Sequence, residues 1–245
     1  MKRMLARGYP DIFQICKAFR AEEEGRHHNP EFTMVEWYRK DFSLRQMMEE
    51  TVAFCQVIAG ALPIVFISYA EAFSKAVGLN PFSATREELL AHTAIARSGL
   101  ALESFPHAAD VLNFLMSEVV ELAFDPGTLT VVHGFPQNLS SQALPDPNQP
   151  GASLRFEIFG GGMELGNGYQ ELQDVQEYRR RFEAENQKRQ MAGKTVIPTD
   201  KDWFSDMEKG LPSCCGVALG LDRLILLATG GPNLSSILEF PWKNA

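Results

Sequence analysis

Cysteine is scarce, with only Cys16, Cys55, Cys214 and Cys215 in 245 residues. They form neither a Cys-x-x-Cys pair nor a regularly spaced framework. That excludes a small disulfide-stapled scaffold and fits buried free thiols in a reducing compartment. Long apolar runs are missing as well. None approaches the roughly 20 residues of a membrane span, and no apolar signal region follows the basic residues Lys2 and Arg3, so a soluble, cytoplasmic protein is expected. Positive charge is not in excess: the net charge of −8 argues against a broadly basic nucleic-acid surface, although a local patch is compatible with it. Five histidines include the neighbours His27 and His28, but no third ligand stands at a metal-like spacing from them. What the chain does have is 45% hydrophobic content, enough for one sizeable core, and a single domain over 1–245 is expected.

The densest chemistry lies in 19–38, FRAEEEGRHHNPEFTMVEWY. Asp11 to Glu22 alternates as a strand does, putting Gln14, Cys16, Ala18, Arg20 and Glu22 on one face. Pro30 to Lys40 alternates likewise, with Phe32, Met34, Glu36 and Tyr38 together. Between the arms, Glu23 to Asn29 is too polar for core and too long for a tight turn. It reads as a mobile loop able to close over a polyanion with Arg26, His27 and His28. Arg20 can grip a phosphate, Phe32 offers a face to a planar base, and Glu36 with Tyr38 suits a cationic group. A surface hairpin laced with salt bridges is the alternative for any one of these residues. Their combination favours a site.

Downstream, three capping boxes predict helices: Ser43-x-x-Gln46, stopping at Gly60; Ser68-x-x-Glu71, ending near Gly78; and Thr85-x-x-Glu88, ending near Gly99. Apolar spacing predicts a fourth over about Ala108 to Phe124. The block from about 43 to 126 therefore reads as a helical insertion beside a sheet. TLTVVH, 128–133, reads as a buried strand, and 135–151 as a proline-rich loop. Ser153 to Phe159 and Gly162 to Leu172 form an expected hairpin that brings Glu157 opposite Glu164. Either the two carboxylates share a cation or they are solvated edge residues. Strict alternation sets Asn167, Tyr169 and Glu171 on the face opposite Glu164, and a bulge near Gly166 and Gly168 is predicted to unite them. Val175 to Gly193 reads as a charged helix whose Arg179-Arg180-Arg181 run is a solvated face. Ser213 to Gly220 is an expected strand leading into a helix from Leu221, with Gly220 open to a close ligand and Arg223 on the first turn.

The stretch 19–38 resembles the second signature motif of the class II aminoacyl-tRNA synthetases, and RHHNPEFTMVEWY is especially similar to their lysyl branch. GVALGLDRL, 216–224, resembles the third signature motif. With MELGNGYQEL, 163–172, the motifs stand in the family's order and span nearly the whole chain. The resemblance implies an α+β catalytic domain, an antiparallel sheet flanked by helices, that uses ATP and Mg2+ to activate a carboxylate as an aminoacyl-adenylate. It implies Arg20 on the alpha-phosphate and Arg223 on the gamma-phosphate as the catalytic groups. Glu22 and Asn29 fall on the adenine side, Phe32 stacks on the base, and Glu164, Leu165 and Gly220 complete the nucleotide contacts. Glu157 and Glu164 become Mg2+ ligands. Glu36, Tyr38, Asn167, Tyr169, Glu171 and Ala218 become the lysine-like substrate's pocket, with Tyr38 and Glu171 at its distal amine. No general base is implied, because the attacking carboxylate is already ionised.

Within the lysyl branch the chain is similar to the paralogues that modify elongation factor P, a family that prefers (R)-beta-lysine and transfers it to a lysine of that factor. The RHHNPEFTM loop, the lack of room for an N-terminal tRNA-binding domain, and Ala218 in place of a usual glycine carry this similarity. Gly166 departs from it, matching the tRNA-charging form. Elongation factor P is thus the implied acceptor, ahead of tRNA, and a noncatalytic ligand-binding paralogue is the further alternative. The family's first motif, which builds its homodimer, has no counterpart in 1–245. A longer gene product or a shortened paralogue with an open sheet edge is the expectation from that difference.

Overall fold

Ile12 to Phe19 alternates half-buried and exposed residues at every step, a period that only an extended strand can satisfy, and it forms β1 (Ile12–Phe19). The computed structural model describes residues 1–21 and 23–244. Ahead of β1 lies a short helix, α1 (Lys2–Ala6). After it, β2 (Glu31–Lys40) returns antiparallel, with Phe19 opposite Glu31 and Ile12 opposite Tyr38. The expected hairpin is therefore present with slightly shorter arms.

The first two capping boxes form as read: Ser43 accepts from Gln46 N to start α2 (Leu44–Ala59), and Ser68 accepts from Glu71 N to start α3 (Tyr69–Val77). Between them lies β3 (Ile64–Ser68), a strand the sequence reading passed over. Four apolar residues behind a proline are too few for periodicity to tell strand from buried helix. The third predicted helix divides. Thr85 caps α4 (Arg86–Leu90), then His92 turns extended and its Nδ1 accepts from Ala94 N, starting α5 (Thr93–Ser98). The fourth runs as α6 (Ala108–Leu115) and passes through a π turn at Met116–Val120 and a 3-10 turn at Glu121–Ala123.

The chain then builds β4 (Leu129–Pro136), β5 (Ala152–Gly160) and β6 (Met163–Gln170). The charged helix α7 (Val175–Met191) and the short α8 (Lys201–Met207) follow, then β7 (Cys214–Gly220) and α9 (Leu221–Thr229). One seven-stranded sheet results, in the order β1-β2-β7-β6-β5-β4-β3. Neighbours are antiparallel except β3 with β4, which makes the sheet mixed rather than wholly antiparallel.

Alternation divides each strand between two environments. Val35, Trp37, Val217, Leu219, Phe156 and Ile158 face a core closed by α2 and α9. Each fully buried side chain such as Phe156 or Ile158 contributes roughly 1.5–3 kcal/mol. Beneath β3 to β5 the other face packs on α3 and α6 through Tyr69, Phe73, Leu112 and Phe135. A third cluster joins Leu5 of α1 to Tyr38, Tyr178, Phe204 and Met207. The remaining part of that second face, across β2, β7, β6 and β5, is left for chemistry. Cys55, Cys214 and Cys215 are buried and Cys16 half-buried, all as free thiols.

Candidate active site

Strand register, not proximity in sequence, assembles the cleft. Glu36 pairs with Ala218, Ala218 with Asn167 and Asn167 with Glu157, so one row of side chains crosses four strands on one face. The next row runs Tyr38, Gly216, Tyr169 and Arg155. Beside these rows opens a cleft lined by Arg20, Phe32, Glu164, Gly220 and Arg223. Asn29, Leu165, Asn167 and Ala218 border it too. The predicted bulge is what unites the two carboxylate sets. Ile158 pairs with Gly166 but Phe159 with Glu164, so Leu165 is the extra residue on β6. Glu164 is turned back to the cleft face, where Asn167 Nδ2 donates to its Oε1 at 3.2 Å.

At one end the groups are cationic and planar. The Arg20 guanidinium stands 5.4 Å from the Phe32 ring centroid and 3.5 Å from Glu23. Arg223 donates from Nε to His27 O at 3.0 Å and from Nη1 to Glu164 O at 2.8 Å, which aims a fixed fork at the cleft. Asp222, beside it, accepts from Thr33 N at 2.7 Å and ties α9 to β2. The loop between the arms is tethered rather than loose. Arg26 Nε donates to Pro232 O, Arg26 O accepts from Leu234 N, and Asn29 Oδ1 accepts from Trp242 N. Asn29 also donates to Glu31 O, so its amide braces the hairpin beside the cleft. Burial and the nearby arginines hold His27 and His28 below the ordinary histidine value, so near neutral pH they are hydrogen-bonding groups rather than added charge. Glu22, expected on the adenine side, lies outside the described residues.

Farther along the same sheet face the groups are anionic and phenolic. Gln14 donates to Glu36 Oε2 at 2.6 Å, and Tyr38 lies buried beside Glu171. Burial and the Glu171 charge push the Tyr38 phenol up, so it stays a neutral donor. Glycine is required here: a Cβ on Gly216 would strike the Tyr38 ring and stand 2.7 Å from Glu171 Oε1. Tyr169 is packed on the same face, its ring 5.8 Å from the Arg155 guanidinium.

Glu157 is buried and ion-paired with Arg155, whose guanidinium also lies 4.6 Å over the Phe135 ring. Its carboxyl is pushed up to about 8 by burial and by the Glu164 charge, against the pull of Arg155. Two carboxylates that resist joint ionisation form a donor set that a divalent cation relieves. Among the described residues no third acidic, His or Cys ligand makes a closed cage around them. That suits Mg2+, which takes one or two carboxylates and shares phosphate oxygens and water. Glu121, on the 3-10 turn after α6, is a neighbouring acid pushed up to about 7 by burial and by Glu164.

Sequence reasoning missed Gln14, Arg155, Glu121 and Lys2. Arg155 and Gln14 share strand faces with Glu157 and Cys16, so alternation carried a signal for them. Nothing local announces Glu121 or Lys2. The arginine run on α7 is absorbed by neighbours: Arg179 meets Glu208, Arg180 meets Glu177, and Arg181 meets Glu177 and the carbonyls of Ser141 and Ala143.

The family model described as tRNA synthetases class II (D, K and N) matches residues 1–244. The chain is 40% identical over 240 residues to the elongation factor P–(R)-beta-lysine ligase of Haemophilus ducreyi, covering 98% of this chain and 73% of that protein. It is 41% identical over 244 residues to the protein of that name from Vibrio vulnificus, covering 99% and 75%. For the Klebsiella pneumoniae protein of the same name the figures are 36% over 240 residues, 98% and 74%. The chain belongs to the class II tRNA synthetases of the D, K and N type, and its mixed sheet with flanking helices is their catalytic domain.

Proposed function

We propose that the chain is an ATP-dependent ligase that activates lysine or (R)-beta-lysine as an adenylate and transfers it to a lysine amine of elongation factor P. The carrying observation is the polarity of one sheet face: a cleft with arginines and an aromatic face, and beside it, along the same strands, the buried Glu171 carboxylate and Tyr38 phenol. Such a face is complementary to a triphosphate beside a cationic amino acid. The names of the relatives supply the acceptor and the beta-amino acid.

In this reading Arg20 holds the alpha-phosphate, Phe32 stacks on adenine beside Asn29, and Arg223 holds the gamma-phosphate. Leu165 and Gly220 let the nucleotide lie against backbone. Glu36, Asn167, Tyr169 and Ala218 line the amino-acid site, with Tyr38 and Glu171 at the distal amine. The substrate carboxylate attacks the alpha-phosphorus and pyrophosphate departs. The acceptor amine then attacks the acyl carbon, AMP departs, and the amine's proton is lost to solvent. Fixed guanidinium donors stabilise charge developing on the pentavalent phosphorus without reorganisation. Glu157 and Glu164 would hold Mg2+, which when bound would supply charge neutralisation on the phosphates. In this reading 1–245 is one catalytic unit; within the expected insertion at 43–126, α2 and β3 belong to the sheet and its core, which leaves the helices after β3 as the added block.

The test is ATP–pyrophosphate exchange with (R)-beta-lysine, alpha-lysine or no amino acid, followed by transfer to elongation factor P or to tRNA. Exchange stimulated most by beta-lysine, with label on the factor, is expected. Label on tRNA with alpha-lysine transfers the assignment to the tRNA-charging branch, and a folded protein without exchange leaves only ligand binding.

A further inference from the structure

Lys2 sends its ammonium inward from α1: its side chain is 12% exposed, and Nζ lies 2.6 Å from Oε2 of Glu171, itself 1% exposed. Nζ also reaches Gln142 Oε1 at 2.5 Å and Tyr178 Oη at 3.3 Å. Its approach to Oε2 is that of an ion pair rather than a directed hydrogen bond. The backbone around both residues is held. Leu5 is buried in the cluster with Tyr38 and Tyr178, Arg3 and Arg7 bind Asp206 of α8, and Glu171 N donates to Cys214 O.

The Glu171 carboxylate therefore has two distinct sides. Oε2 meets Lys2, while Oε1 lies over Gly216 beside the Tyr38 ring, in the row next to that of Glu36 and Ala218. The groups facing it are Lys2 from α1, Tyr38 from β2, Tyr178 from α7 and Cys214 from β7. A fully buried carboxylate lacking a counter-charge takes up a proton and becomes a poor receptor for an ammonium. Burial does push Glu171 up, and Lys2 is the opposing charge. Burial alone would lower Lys2, but the Glu171 charge and the two phenols reverse this and keep it an ammonium.

We infer that Lys2 is a positioning residue: as the buried counter-charge on Oε2 it holds Glu171 turned so that Oε1 is presented to the distal ammonium of the amino-acid substrate. The inference rests on the functional reading above and deepens it. A carboxylate serving two cations at once explains how a pocket built for an ammonium tolerates a lysine of its own chain beside it. Lys2 is not displaced, because α1 is clamped just after it by Arg3 and Arg7 on Asp206 and by buried Leu5.

The test compares Lys2→Met and Lys2→Arg with the unaltered protein. In amino-acid-dependent exchange, Lys2→Met should raise the amino-acid KM about 10- to 100-fold, leave the ATP KM unchanged and add a limb of activity rising with pH. Lys2→Arg should restore most of the loss. Unchanged KM and pH profile in a folded Lys2→Met protein overturns the inference. Should that variant fold poorly, Lys2→Met/Glu171→Gln is compared with Glu171→Gln: equal KM values support action through Glu171, and independent losses refute it. A carbon-13 titration of Glu171 separates this inference from the ligase reading, since it needs no turnover. A Glu171 titration displaced to higher pH in Lys2→Met is expected; identical titrations sink the inference, whereas absent exchange in the unaltered protein sinks the ligase reading alone.

Discussion

Asn167 and Glu164 are an odd number of residues apart on one strand, yet the amide of the first donates to the carboxylate of the second at 3.2 Å. In a regular strand they would point to opposite faces. The extra Leu165 reverses the alternation, so a carboxylate destined for the helix-packed core is returned to the cleft.

The bulge leaves no spare room at Gly166. A Cβ there would meet Ala218 O at 2.5 Å and Leu219 Cα at 2.9 Å, both backbone atoms of β7. Gly166→Ala should therefore force β6 and β7 apart, lower stability by about 1–3 kcal/mol and raise the amino-acid KM through displaced Ala218 and Asn167. Thermal unfolding together with exchange kinetics checks this, and an unaltered melting temperature would contradict it.

Arg223 is aimed by two backbone carbonyls, those of His27 and Glu164. A lysine cannot reproduce a planar fork with several fixed donors. Arg223→Lys should raise the ATP KM about 10- to 100-fold, the loss of one or two charge-assisted hydrogen bonds. The effect on the amino-acid KM should be smaller, as measured by varying each substrate separately.

Glu157 links the site to pH. Its folded value of about 8 lies above the unfolded carboxylate value of about 4.3. The protonated form is thus favoured by folding. Its stabilising contribution is complete below the unfolded value and is lost as pH rises through the folded one. Without Mg2+, denaturant unfolding should show stability falling over that window, and Glu157→Gln should flatten the slope. Added Mg2+ should recover stability at the alkaline end in the unaltered protein and not in the variant.

Asp206 accepts hydrogen bonds from Arg3, Arg7 and Lys209, and those from Arg7, Lys209 and Arg3 hold its carboxyl well below the usual carboxylate range. Its contribution is present above the unfolded value of about 3.9 and is lost as pH falls through the depressed folded value. Asp206→Asn should lower the melting temperature near neutral pH, with the gap closing as acid is added. Amide exchange in α1 should quicken, and the amino-acid KM should rise because Lys2 rides on that helix.

The parts of the fold legible in the sequence were those written in short-range patterns. Alternation disclosed β1 and β2, the boxes at Ser43 and Ser68 disclosed two helix starts, and the glycines around Gly166 disclosed the bulge. β3 escaped because a four-residue apolar run has no readable period, and the helix expected from Thr85 to Gly99 divided because His92 can serve as a cap. In the site, the cationic and aromatic end lay within two motifs and could be read directly. Lys2, Glu121 and Arg155 gain their meaning from partners 169, 43 and 2 residues away, Glu171, Glu164 and Glu157 respectively. Only the last of these separations lies within reach of a local pattern.

The ion pair on Lys2 bears on self-acylation. An adenylate is a reactive acyl donor, and any neutral amine beside it competes with the intended acceptor. Lys2 lies one carboxylate away from the pocket, but its lone pair is withheld by a proton that Glu171 and the phenols of Tyr178 and Tyr38 retain against burial. Incubation with ATP and amino acid but no acceptor should place stray acyl groups on exposed lysines such as Lys17 and Lys243, leaving Lys2 unlabelled in peptide mass spectra. An enzyme that makes amide bonds to lysine thus keeps the lysine of its own pocket chemically silent.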